Sequence, residues 1–165
     1  MRLNINPMSS ANMRADKGEY EKILLPVSGE NDGPAIKLAC NLSKLAKKSK
    51  CHILVLYVIQ VQRSLPLDAS IESEIGKAEQ TLGQVEDQMV DCPCELDTDI
   101  LQARDIGVAI VDEAVEKHAD LILMVAGYKK RFGASGIGPT VLTVLRDAPC
   151  PVVVVRPAQM DQETR

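Results

Sequence analysis

The sequence predicts an α/β domain whose strands lie in one parallel sheet. Three observations carry that expectation. From Tyr20 onward, apolar runs of strand length alternate with stretches of helical period, the pattern left by βαβ units. The runs 52–59 and 120–126 are apolar on both parities, as strands covered on both faces are. Glycine-bearing turns follow the first and fourth runs, where such units pass from strand to helix.

The first strand is expected over Lys22 to Val27, ending in the turn Ser28-Gly29-Glu30-Asn31-Asp32-Gly33. Asn31 or Asp32 caps the following helix, with Pro34 in its first turn. That helix carries Leu38, Ala39, Leu42, Leu45 and Ala46 on one face, while Lys37, Lys44, Lys47 and Lys48 form a solvated outer face. The second strand spans His52 to Ile59. A loop around Pro66 leads to a second helix, on which Ile71, Ile75, Ala78, Leu82, Val85 and Met89 recur at steps of four and three. The run is under three heptads and contains Gly76 and Gly83, so it suits docking on the sheet better than a partner zipper.

The third strand, Glu95 to Leu101, alternates polar and apolar residues as an edge strand does. Asp105 caps a third helix bearing Ile106, Ile110, Val111 and Ala114, with His118 a turn further on. No nucleophile or carboxylate is spaced to work with His118, so it reads as a packed or helix-terminal residue. The fourth strand is Asp120 to Ala126. A last helix, from about Pro139 to Asp147, precedes the fifth strand, Val152 to Val155.

Composition narrows the function. At 165 residues the chain suits one domain, expected over 19–157, with an extension at 1–18 and a tail at 158–165. With 19 Lys+Arg against 23 Asp+Glu, the net charge of −4 offers no cationic field for nucleic acid. Tyr20, Tyr57, Tyr128 and Phe132 are the only aromatics, too few for a base-stacking platform. No apolar run reaches membrane-span length and no secretory signal is visible, which points to the cytoplasm. Five scattered cysteines (Cys40, Cys51, Cys92, Cys94 and Cys150) suit reduced thiols better than a disulfide framework. Neither a metal nor a redox role is expected for Cys92-Pro93-Cys94, because His52 and His118 lie far from it in sequence.

The segment from Gly127 to Thr140 joins a buried strand to a helix N-terminus, a junction that binds anions through unpaired N–H groups and the helix dipole. Its glycines equally suit a connection that serves backbone geometry alone. Gly133 to Thr140 matches a P-loop except that Pro139 replaces the phosphate-reaching lysine. Val141 stands at the third glycine of a dinucleotide fingerprint, and Ile137 at the second glycine of a hydrolase elbow. A P-loop ATPase and a serine hydrolase are therefore not expected.

From Tyr20 to Pro157 the chain resembles the universal stress protein family. The resemblance rests on Ile23-Leu24-Leu25-Pro26-Val27 with its turn and helix, on Asp105 and the run from Ala119 to Gly127, and on Cys150-Pro151-Val152-Val153-Val154-Val155. It implies a doubly wound open sheet of order 3-2-1-4-5 with helices on both faces, the adenine nucleotide alpha hydrolase-like fold. It also implies a homodimer in which Val152, Val153, Val154 and Val155 pair across a two-fold axis. Pro26, Val27, Ser28 and Val58 would then border base and ribose, and Gly127, Gly138, Pro139 and Thr140 would face phosphates. The chain departs from the nucleotide-binding pattern at four points. Ser28 holds the aspartate position, Lys130 stands at the second glycine, the loop is two residues shorter, and Pro139 takes the Ser/Thr place ahead of Thr140. Lys130 could pair with phosphate in compensation. The expectation is a non-catalytic stress-response or regulatory protein that binds ATP, a related adenine nucleotide or another anion at the crevice between strands one and four. The alternatives are slow ATP hydrolysis, for which no general base is visible, and regulation of a membrane transporter through a protein–protein contact.

Overall fold

The computed structural model describes residues 20–46, 50–67, 71–126, 129–131 and 134–157. The expected extension at 1–18, the tail at 158–165 and Gly127 lie outside them. In chain order the elements are β1 (Lys22–Val27), α1 (Gly33–Ser43), β2 (Cys51–Gln60), α2 (Glu72–Met89), β3 (Cys94–Ala103), α3 (Ile106–Glu116) and β4 (Leu121–Val125). There follow β5 (Lys129–Arg131), β6 (Ala134–Gly136), α4 (Pro139–Asp147) and β7 (Val152–Val155).

Five strands form one parallel sheet in the order β3-β2-β1-β4-β7, the expected 3-2-1-4-5 arrangement. Side chains alternate across a strand, so each strand feeds two cores. On one face Ile23, Leu25, Ile53, Val55, Leu121 and Leu123 meet Ala39 of α1 and Leu82, Val85 and Met89 of α2. On the other, Leu24, Leu56, Val58, Ile122 and Met124 meet Ile110 and Ala114 of α3 and Val141 and Val144 of α4. The chain is thus doubly wound, and an aliphatic core suffices without aromatics at its centre. At the rim where the strands begin, the buried Asp120 carboxylate accepts the N–H groups of Glu21 at 2.9 Å and Lys22 at 3.1 Å, tying β1 to the start of β4.

Four details differ from expectation. Asp32 is the residue before α1, but its side chain makes no bond to the helix. The strands β2 and β3 are longer than expected at ten residues each, since their ladder runs from Cys51–Cys94 to Gln60–Ala103. The glycine-rich segment contains a two-stranded antiparallel ribbon, β5–β6, which pairs Lys130 with Ser135. The fourth difference corrects the reduced-thiol expectation. Cys40 and Cys92 form a disulfide with their Cα atoms 5.4 Å apart. They are 52 positions apart in sequence, and only the packing of α1 beside the C-terminal end of α2 brings them together.

Two local expectations agree. The Asp105 side chain accepts the Val108 N–H at 3.0 Å and caps α3. His118 has φ 53 just past the C-terminus of that helix, a left-handed stop with its own N–H on Val115 O, so it is helix-terminal. Among the described residues no helix is long and apolar enough to cross a membrane, and no three metal-ligating side chains cluster.

Candidate functional site

The sheet opens where its winding reverses. β1 pairs with β2 as far as Val27–Tyr57 and β4 with β7 as far as Val125–Val155, but the β1–β4 ladder holds only Ile23–Leu121 and Leu24–Ile122. Beyond Leu24 the pairing stops, which leaves the carboxyl ends of the two strands unpaired at the topological switch point, the crevice where open α/β sheets bind ligands.

One wall is the turn after β1. Ser28 is exposed, and its N–H and that of Gly29 donate to a single Asp32 oxygen at 3.0 and 2.7 Å. The Ser28 hydroxyl accepts the Glu30 N–H at 3.3 Å. Gly29 has φ 84, in the left-handed region that favours glycine, and a Cβ there would stand 3.0 Å from Thr81 Oγ1 of α2. Burial raises the Asp32 carboxyl above its ordinary value, and the neighbouring Glu30 charge adds to this, while the bonds from Gly29 and Ser28 oppose it. A carboxylate is therefore held beside Ser28 by backbone donors. Reading Asp32 as a helix cap missed this role, because the side chain turns back to residues three and four before it.

The facing wall is the N-terminus of α4. Gly138 precedes the helix with extended backbone at φ −65, Pro139 is its first residue, and Thr140 is half-buried. Among the described residues a Cβ at Gly138 would meet nothing within 4 Å. Neither φ nor contact with the described residues requires glycine there.

The expected site residues divide. Ser28, Gly138, Pro139 and Thr140 lie at the ends of the elements that flank the crevice, and Pro26 is half-buried beside it. Val27 is 7% exposed and belongs to the first core, and Val58 is 9% exposed and belongs to the second, so their side chains serve packing. The backbone of Lys130 is committed to the β5–β6 ribbon. A depression of about 370 Å³ lies at the opposite rim between Lys22, His52, Asp97 and Lys117, where His52 Nε2 stands 2.7 Å from Asp97 Oδ2.

Comparison with known proteins agrees with this fold. A universal stress protein of Methanocaldococcus jannaschii is 28% identical over 150 residues, covering 87% of this chain and 86% of its own. The universal stress protein UspA from Lactobacillus plantarum superposes with a TM-score of 0.68 at 22% identity, over 84% of this chain and 99% of its own. The universal stress protein from Archaeoglobus fulgidus, solved in complex with dAMP, gives 0.60 at 20% identity, over 82% and 97%. The likeness of the two solved structures is one of fold. The sequence model of the universal stress protein family matches residues 19–156, nearly the whole domain built on the β1–β4 crevice, and the chain therefore belongs to the universal stress protein family.

Proposed function

We infer that this chain is a regulatory binding protein that takes an adenine nucleotide, with its phosphates before the N-terminus of α4 and its base and ribose against the turn at Ser28. The observation that carries the reading is the early end of the β1–β4 ladder at Leu24–Ile122, which leaves the switch point of the sheet flanked by the Ser28 turn and the N-terminus of α4. The N–H groups of the first helical turn attract an anion. Pro139 removes one donor and leaves Thr140 to supply both an N–H and a hydroxyl. The dAMP complex of the Archaeoglobus relative supports an adenine nucleotide as the class of ligand.

Asp32 gives the pocket a fixed acceptor beside Ser28, in part replacing the aspartate that family members carry at the end of β1. Its oxygen is engaged by two backbone N–H groups, so it shapes the turn rather than activating water. A binding role follows more naturally than hydrolysis. Ser28 accepts more weakly than a carboxylate, by ~1–2 kcal/mol, so affinity is modest.

The domain acts as a homodimer through β7. That strand pairs only with β4 among the described residues and carries four half-exposed valines, an edge that invites a second strand. The other edge, β3, bears Glu95, Asp97 and Asp99, which discourage pairing there.

The test is a denaturing extraction of freshly purified protein followed by mass spectrometry, alongside thermal-shift titrations with AMP, ADP and Mg-ATP. A stoichiometric adenine nucleotide, or a melting temperature that climbs with nucleotide concentration, is expected. Ser28→Asp should tighten the interaction about tenfold. An empty protein indifferent to all three nucleotides would overturn the reading, and Mg-dependent phosphate release abolished by Thr140→Ala would favour hydrolysis instead.

A further inference from the structure

We propose that Cys40 and Cys92 form a reversible thiol–disulfide modification site that fastens α1 to the C-terminal end of α2, with low-molecular-weight thiols and disulfides of the glutathione class as its reaction partners. The geometry selects this pair. Cys40 lies in the last turns of α1 and Cys92 in the short turn after α2, and their Cα atoms are 5.4 Å apart, within the range a disulfide spans without backbone movement. Both are half-buried, and Cys92 stands between exposed Asp91 and Pro93, so a small reagent can reach it.

The other thiols are poor competitors. Cys51 is fully buried, opposite Cys94 in the β2–β3 ladder. Burial raises the thiols of both, that of Cys51 to about 12, so neither supplies much thiolate to attack the bond. Cys150 packs in the second core, on the other face of the sheet.

In the forming direction one cysteine loses its proton, and its thiolate attacks the S–S bond of the small disulfide, expelling one thiolate. The second cysteine, deprotonated in turn, attacks the mixed disulfide and expels the other. Two protein thiols are oxidised by two electrons, the small disulfide is reduced to two thiols, and the two protons pass to them. Reduction is the reverse.

The consequence reaches the turn after β1. Asp32, the residue before α1, holds Ser28 and Gly29, and Gly29 lies so near Thr81 of α2 that an added Cβ would stand 3.0 Å from its Oγ1. The two helices that carry this turn are thus stapled at their far ends, and opening the bond frees α1 to move against α2. The inference concerns the helix pair and is independent of what the crevice binds.

The experiment equilibrates the full chain across a series of reduced-to-oxidised glutathione ratios. It then traps thiols by acid and alkylation and assigns the bond by mass spectrometry, with fragmentation that separates Cys92 from Cys94. Both forms should populate within the series, with the linked peptide joining Cys40 to Cys92. The melting temperature should fall by about 5–15 °C in the reduced form, because the bond closes a long loop. Hydrogen exchange over residues 28–43 should rise in parallel. Cys40→Ser should remove the redox dependence, whereas Cys150→Ser should keep it. If Cys40→Ser does not fold, the two forms of the wild-type protein supply the same comparison. A bond that survives excess reduced glutathione would make the pair a permanent staple and overturn the proposal, as would a bond that never forms or that joins other cysteines.

Discussion

The Asp32 carboxylate and the Gly29 N–H, three residues apart, meet at 2.7 Å and close the turn that ends β1. Because burial raises this carboxyl, the folded protein holds the Asp32 proton more tightly than the unfolded chain does. Its contribution to stability is therefore fully present below the ordinary carboxylate value and is lost as pH rises through the raised folded value. Asp32→Asn keeps an acceptor oxygen but cannot titrate. The stability of wild type minus that of the variant, from urea unfolding at a series of pH values, should fall as pH rises across that window and then level off. A difference that grows with pH would contradict the assignment.

Gly107 in the first turn of α3 lies against Thr143 of α4. A Cβ there would stand 2.8 Å from Thr143 Cβ and 3.1 Å from Thr140 O. Gly107→Ala gains helix propensity of at most about 1 kcal/mol, but overpacking of this kind costs about 1–3 kcal/mol. The net effect is destabilising and is read as a lower denaturation midpoint. Thr143→Ala should not rescue it, since the clash is with the Cβ that alanine retains.

The register of β7 allows a clean test of the proposed dimer. The Ile122 and Ala126 N–H groups donate to Pro151 O and Val155 O, so strand alternation turns the backbone groups of Val152 and Val154 away from β4. Val154→Pro therefore removes an outward donor and leaves the β4 pairing intact, as edge strands tolerate. Sedimentation should show a monomer that keeps the wild-type far-ultraviolet circular dichroism. A variant that remains dimeric would place the interface elsewhere.

Burial raises the Cys51 thiol to about 12 and the Cys150 thiol to about 11, with the Asp120 charge adding to both. At pH 8 the thiolate fractions are on the order of one in ten thousand and one in a thousand. Iodoacetamide applied to the reduced, folded protein at that pH should leave both unlabelled while Cys92 reacts. Equal labelling of Cys51 and Cys92 would mean that the first core is open.

The scaffold was legible where burial imposes a pattern. β1 matches its expected bounds of Lys22 to Val27, because a strand covered on both faces leaves an uninterrupted apolar run. Asp105 was readable as a cap for a similar reason, since the bond it makes is local. The β5–β6 ribbon was not, because Lys129, Lys130 and Arg131 show none of the alternation by which a strand is recognised. The disulfide was hidden for a third reason. It joins residues that approach only after α1 and α2 have docked, and nothing in the local sequence records that approach. At the site, Ser28 was singled out through the family resemblance, and Gly138 through the strand-to-helix junction together with that resemblance. Asp32 was misread because its side chain turns back to the loop instead of forward to its helix.

The clamp that Asp120 makes on the N–H groups of Glu21 and Lys22 sets the direction in which the domain can be held. It fixes the point where the chain joins the sheet at the rim opposite the Ser28 turn and Gly138. Attachment at Tyr20 itself would therefore hold the sheet by the ends where its strands begin, whereas coupling at the α4 N-terminus would hold it by the ends where they finish.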